Sequence, residues 1–175
     1  MENRSCLRPD GIDHSNVLVY DKKTNTIERF EPHGSSNDFD QDVLDSWLSD
    51  YVKHELSSKI KYINPSSVCP MGLQTLHEKT ETHHTGFCGL WTIWYLDLRL
   101  SYPDVPSDKL LKIASKHLKE LGFTTFIYNY SRFVINFTKE FKKKYSKILD
   151  KYLDNYDNVD VGKHFFFIDF IQTNR

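Results

Sequence analysis

The chain has 175 residues, of which 39% are hydrophobic and 27% are charged, and its formal net charge is −1. This composition is that of an ordinary folded protein, so it excludes an intrinsically disordered chain. No apolar run approaches the roughly 20 residues of a membrane helix, and the first residues lack a signal-peptide core. We therefore expect a cytoplasmic protein with no membrane partner. Three cysteines are too few for a disulfide framework, and an odd count in a reducing compartment favours a working thiol.

The first half of the chain predicts a small sheet and one helix. Residues 16–20 and 26–31 carry strand-like apolar patterns separated by a polar turn, which predicts an antiparallel pair. An apolar stripe at spacings of three and four predicts a helix from residues 36–38 to Leu56, and Trp47 on this stripe is assigned to the core. Residues 59–63 predict a third short strand. Residues 70–84 are polar without a clear period, so we expect a loop.

The second half predicts mainly helices. Residues 86–100 are apolar almost all round, which is typical of a helix buried at the centre of a domain. Helices are also expected over 107–121 and 125–153, followed by a closing strand over 163–170. The whole pattern predicts one α+β domain over residues 1–175, with a core over 12–100 and a helical extension over 107–175. The basic stretch between residues 107 and 154 indicates a solvated helical face or a basic docking surface.

The best candidate for a reactive side chain is Cys88. It stands where a loop enters the buried helix, between Gly86 and Gly89. A helix N-terminus lowers a thiol pKa and favours the nucleophilic thiolate, and small neighbours let a substrate backbone approach. The alternative is that Cys88 is one more buried core residue. Its position at a glycine-flanked helix entrance favours the nucleophile.

A thiol nucleophile needs a histidine base that a third group orients. His14 precedes the first predicted strand, and Glu31 ends the second, 17 positions later. In an antiparallel pair, the start of one strand lies beside the end of the next, so the two side chains are expected to meet. Glu28 remains a competitor for the acid. A loop histidine, His83 or His84, remains an alternative base.

These residues together resemble the adenovirus-protease and SUMO-protease superfamily of papain-like cysteine proteases. The resemblance covers residues 12–100 and is closer to uncharacterised members encoded by large DNA viruses. It rests on a few short motifs: His14-Ser15, Phe30-Glu31-Pro32, Cys69-Pro70 with Gln74 downstream, and Gly86-Phe87-Cys88-Gly89.

The resemblance implies a papain-like fold in which a small antiparallel sheet packs on the central helix that starts at Cys88. It also implies a peptidase or isopeptidase that forms an acyl-enzyme thioester. Cys88 would be the nucleophile, His14 the general base, Glu31 the orienting acid and Gln74 an oxyanion donor. The substrate would be a ubiquitin-like conjugate or a viral polyprotein, in host cytoplasm or virion. The implied chemistry requires no cofactor and no metal.

Two alternatives come from other functional classes. The first is a catalytically inactive member of the same fold that serves as a protein-binding module. The second is a zinc-binding loop, because residues 69–88 hold several ligand types, but their spacing matches no familiar zinc motif. The candidate zinc ligands are Cys69, His77, Glu78, Glu81, His83, His84 and Cys88. Nothing in the sequence resembles a nucleic-acid-binding module.

Overall fold

The computed structural model describes residues 14–35, 41–80 and 87–153, and the side chains up to residue 146. The chain forms two compact units, residues 1–131 and residues 132–175. The predicted closing strand over 163–170 lies outside the described residues, as do Cys6, Glu81, His83, His84 and Gly86. The proposed single domain with its boundaries stays a prediction.

The first unit begins with a three-stranded sheet in the order β1-β2-β3. Strands β1 (Val17–Asp21) and β2 (Thr26–Phe30) form the predicted antiparallel pair, with Val17 opposite Phe30. Strand β3 (Lys61–Ile63) pairs with β2 in parallel. The expectation of a wholly antiparallel sheet is therefore wrong. A long helical crossover brings the chain back to the end of the sheet where β2 starts, so that β3 runs in the same direction as β2.

That crossover contains α1 (Gln41–Tyr51) and a π-helical turn (Val52–Leu56). The predicted stripe along α1 divides between two environments: Val52 is buried, whereas Trp47 is 59% exposed. The assignment of Trp47 to the core is thus wrong. The helical period correctly predicted which side chains share a face, but it carries no information on whether another element covers that face.

After β3 come a one-turn helix α2 (Pro65–Val68) and α3 (Leu73–Thr80). Asn64 caps α2 by accepting a hydrogen bond from the backbone N–H of Ser67. Helix α3 replaces most of the loop that was predicted over 70–84. It buries Leu73, Gln74 and His77 on one side, and a helix that buries a glutamine and a histidine has too weak an apolar period to be recognised from sequence.

Three longer helices follow: α4 (Cys88–Ser101), α5 (Ser107–Leu121) and α6 (Phe123–Leu153). The bounds of α5 coincide with those predicted. Gly122, at a φ of 82°, makes the turn between α5 and α6, a backbone conformation that favours glycine.

The core of the first unit lies where β2 meets α4. The ring of Tyr95 stacks on Phe30 at 4.1 Å between centroids, and Trp91 is fully buried. Phe126 of α6 stacks on Trp91 at 6.0 Å. Helix α4 is thereby covered from both the sheet and the start of α6, as expected for a segment that is apolar all round.

Candidate functional site

The carboxylate of Glu31 is the centre of the candidate site. Glu31 follows β2 directly, and its side chain is fully buried. Its Oε1 accepts hydrogen bonds from Nε2 of His14 at 2.7 Å and from the backbone N–H of His33 at 3.1 Å. Its Oε2 accepts from Arg29 at 3.3 Å and from Gln41 at 3.1 Å. A buried charge requires such partners, and this carboxylate has them on both oxygens.

The predicted neighbours His14 and Glu31 thus do meet, since the β1–β2 register brings the residue before β1 to the end of β2. His33 joins them: its ring lies 5.1 Å from that of His14, and its Nδ1 is 3.8 Å from Glu31 Oε1. Sequence reasoning missed His33. The signal was present in the segment Glu31-Pro32-His33, where a proline turn carries the next side chain back toward the strand end.

Gln74 lies on α3 and reaches the same network from the opposite side. Its Nε2 donates to Glu78 Oε1 at 2.8 Å, and that oxygen is 3.6 Å from Nε2 of His33. Gln74 Oε1 is buried with no hydrogen-bond partner among the residues that the structure describes. The amide hydrogens of Gln74 therefore serve to hold Glu78 beside His33.

Cys88 is the first residue of α4 and is buried. The start of α4 packs against the residue next to His14: Thr92 donates a hydrogen bond to the carbonyl of Ser15 at 3.3 Å. A β-carbon added at Gly89 would meet the hydroxyl of Ser15 at 3.8 Å. The structure therefore places the Cys88 end of α4 beside the segment that carries His14.

Two pKa shifts follow from this packing. Burial raises the pKa of Glu31, but the hydrogen bonds from His14 and His33 outweigh burial and lower the pKa from 4.5 to about 2. Burial lowers the pKa of His33, but its hydrogen bond to Glu31 and the charge of Glu78 raise it above the usual 6.5. At neutral pH the centre of the site is thus an ionised carboxylate in contact with His14 and His33.

The buried Glu31 carboxylate predicts that the protein loses stability in acid. The measurement uses chelator-treated protein, so that no bound metal ion contributes to the stability. Glu31 has a folded-state pKa below its unfolded value, so its contribution is complete above pH 4.5 and is lost as the pH falls toward 2. The full shift corresponds to about 3 kcal/mol of unfolding free energy. The unfolding free energy measured in urea should fall between pH 6 and pH 3, and Glu31→Gln should make this dependence on pH weaker. An equal slope in both proteins would contradict the assignment.

Two of the candidate zinc ligands between residues 69 and 88, His77 and Cys69, are bound to other groups in the interior. His77 is 2% exposed, bonded to the Thr124 hydroxyl at 2.8 Å and packed between aromatic rings. Cys69 donates to the carbonyl of Met71, and burial raises its thiol pKa to about 11. These two side chains are engaged in the interior. His14, Glu31 and His33 instead form the one group among the described residues that could hold a metal ion.

In the described part of the chain, no helix combines the length and apolarity that crossing a bilayer requires.

Comparison with known proteins gives one relative. The chain is 40% identical over 140 residues to an ankyrin repeat protein of Acanthamoeba polyphaga mimivirus. The match covers 69% of this chain but 18% of the relative, so the chain spans about a fifth of that protein's length. No protein-family model and no solved structure matches.

This finding overturns the resemblance to cysteine proteases. The relative is named as an ankyrin repeat protein, so the predicted papain-like fold, peptidase activity and protease family are wrong. Most of the described residues are also helical, and the three strands of the sheet have only five, five and three residues. The roles of Cys88, His14 and Glu31 were predicted from their positions along the chain, and that of Gln74 from the resemblance alone. All four site assignments stay predictions.

The physical reason for the error lies in the carboxylate. A histidine before one strand and an acid after the next also result when a buried charge recruits hydrogen-bond donors. Arg29 and Gln41 occupy Glu31 Oε2 in addition to the two contacts on Oε1. A spacing of 17 residues reports that the two groups meet, and it carries no information about which chemistry they perform. The comparison thus places this chain beside an ankyrin repeat protein instead of a protease.

Proposed function

We propose that this chain is a non-catalytic protein-binding module that binds its partner through one exposed face of α1. The α1 face consists of Val43, Trp47 and Tyr51. The relative supports a binding role in general terms, because ankyrin repeats stack into extended surfaces that bind other proteins. The observation that carries the proposal is an exposed tryptophan on a continuous apolar face.

The three side chains of the α1 face follow each other at intervals of four residues, so they form one surface along the helix. Val43 is 69% exposed, Trp47 59% and Tyr51 43%, and the two rings stack with centroids 5.5 Å apart. A contiguous exposed apolar patch marks an interaction site, and Trp and Tyr are the residues that contribute most to binding energy.

Charge indicates the chemistry of the partner. The exposed carboxylates of Asp42 and Asp50 flank the α1 face and line the same shallow depression as Val43 and Trp47. An apolar surface with an acidic border is complementary to a helix or loop that places apolar side chains next to lysine or arginine. The expected partner is therefore a protein segment that combines aromatic or aliphatic anchors with basic residues.

The test is a selection of displayed helical peptides on the purified chain. The selected peptides should combine apolar anchors with a basic residue within one helical turn. Trp47→Ala should weaken their binding by about 2 kcal/mol, or roughly 30-fold, because it removes the largest anchor. Ile113→Ala is the matched control, since Ile113 is 56% exposed on α5 and is not part of the α1 face. Calorimetric titration gives the affinities.

A second variant tests the acidic border. Asp42→Asn with Asp50→Asn should slow association and reduce its dependence on salt, with a smaller effect on dissociation. Peptides that bind wild type and Trp47→Ala equally would overturn the proposal. Loss of binding in Ile113→Ala to the same extent as in Trp47→Ala would also overturn it.

A further inference from the structure

We infer that His14, Glu31 and His33 form a binding site for a divalent transition metal, with Zn²⁺ as the ion that fits best. One ligand atom from each residue lies within 4.8 Å of the other two. Two imidazoles and a carboxylate form a donor set that binds zinc and leaves the fourth position for water or another ligand. This site does not involve the α1 face, so it is independent of the proposed function.

The distances suit a small metal ion. With zinc bonds of about 2.0–2.1 Å, neighbouring ligand atoms of a tetrahedral site lie about 3.4 Å apart. The observed separations from Glu31 Oε1 are 2.7 Å to His14 Nε2 and 3.8 Å to His33 Nδ1. One separation is shorter and the other longer than the tetrahedral value. Small movements of the two imidazole rings would therefore convert the hydrogen-bonded group into a metal site.

The carboxylate is already oriented for this role. Arg29 and Gln41 hold Glu31 Oε2, which leaves Oε1 for the two imidazole rings and the backbone N–H of His33. A metal-binding carboxylate is commonly held in this way by hydrogen bonds to its second oxygen.

His33 also has the outer partner that a metal-bound histidine requires. Its Nε2 is 3.6 Å from Glu78 Oε1, and Gln74 holds the same oxygen at 2.8 Å. A carboxylate on the far side of the ring fixes its orientation and increases the basicity of the nitrogen that binds the metal. Metal, His33 and Glu78 would then form the usual carboxylate–histidine–zinc arrangement.

The positive charge of Arg29 does not prevent metal binding. Its guanidinium group contacts Asp45 through two nitrogens, at 2.8 and 3.0 Å, and only one more distant nitrogen faces Glu31. The bidentate pair with Asp45 offsets the guanidinium charge, so the net charge on the metal side is that of the Glu31 carboxylate.

The experiment is a titration of chelator-treated protein with Co²⁺, whose visible ligand-field bands report tetrahedral coordination, followed by displacement with Zn²⁺. We expect one ion per chain. His33→Ala and Glu31→Gln should weaken binding by more than about 100-fold, whereas Gln41→Leu removes an outer partner and should cost roughly 10- to 100-fold. His54→Ala is the matched control, because His54 is exposed on the π-helical turn. Near-UV circular dichroism verifies that each variant is folded.

Several results would overturn the inference. The first is the absence of ligand-field bands at one equivalent of Co²⁺. The second is an affinity that His33→Ala leaves unchanged, or that His54→Ala lowers equally. The third is an intense cobalt–thiolate absorption band, because it would place the ion on cysteine instead of on the two histidines.

Discussion

Replacing Arg29 by methionine is expected to destabilise the protein by about 3–5 kcal/mol, the usual result of removing one partner from a buried ion pair. The side chain of Arg29 is fully buried. Its removal leaves the carboxylates of Glu31 and Asp45 without their shared cation, and water cannot replace that cation at Glu31, whose side chain is fully buried. A domain of this size is stable by only about 5–15 kcal/mol, so this loss is a large part of the total.

Lys23→Met is the matched control for Arg29→Met, since both variants exchange a cation for the same apolar side chain. Lys23 pairs with Asp104 across the surface, and both side chains are more than 70% exposed. Such a pair contributes little, so no measurable change in unfolding free energy is expected. Urea unfolding with an unchanged slope gives the comparison. Equal stability of the two variants would contradict the buried-network interpretation.

Adding Glu31→Gln and Asp45→Asn to Arg29→Met should recover part of the lost stability. The two amides remove the charges that Arg29 neutralised, while they keep the shape of the carboxylate groups. A triple variant that is less stable than Arg29→Met would show that the hydrogen bonds of Glu31 with His14, His33 and Gln41 contribute more than the charge that Arg29 neutralises.

Gly72→Ala is the second change with a large expected effect. A β-carbon at Gly72 would lie 2.1 Å from the backbone carbon of His33 and 2.2 Å from the backbone nitrogen of Gly34. Residues 32–35 and residues 70–74 are joined by hydrogen bonds, including one from the Gln74 N–H to the Pro32 carbonyl at 2.9 Å. Backbone atoms cannot rotate away, so the chain around residues 32–34 must separate from the chain around Gly72. We expect the unfolding free energy to fall by about 3 kcal/mol or more.

Gly89→Ala provides a control with the opposite sign. The added β-carbon meets only the Ser15 hydroxyl at 3.8 Å, an ordinary contact, and Gly89 lies inside α4. Alanine is favoured over glycine in a helix by up to about 1 kcal/mol, so this variant should be as stable as wild type or slightly more stable. Calorimetric melting of both variants tests the pair. Similar melting temperatures for the two would contradict the close backbone contact at Gly72.

The Gly72 contact also connects stability to the candidate metal site. Gly72 packs against residues 32–34, which include His33 and directly follow Glu31. Helix α3, which starts just after Gly72, carries Gln74. Separation of the two segments should move His33 away from Glu78. Gly72→Ala should therefore also weaken the binding of Co²⁺ in a variant that remains folded, whereas Gly89→Ala should not.

The sequence by itself determined most of the local structure. Alternation of apolar residues predicted β1 and β2, and the offset between His14 and Glu31 predicted that the two side chains meet. Helix α5 was also predicted with its observed bounds. These features depend on residues that are close in sequence or on a hairpin register, and both leave a periodic trace in the sequence.

Only the tertiary structure decided the remaining features. It showed that β3 is parallel, that Trp47 is exposed, and that His33 lies beside Glu31 and Glu78. The pairing of β3, the exposure of Trp47 and the contact of His33 with Glu78 depend on segments that are distant in sequence. A periodic pattern shows which side chains share a face but not what covers that face. Burial of the Glu31 charge depends partly on such contacts, because two of its hydrogen-bond donors, His14 and Gln41, lie 17 and 10 residues away in the sequence.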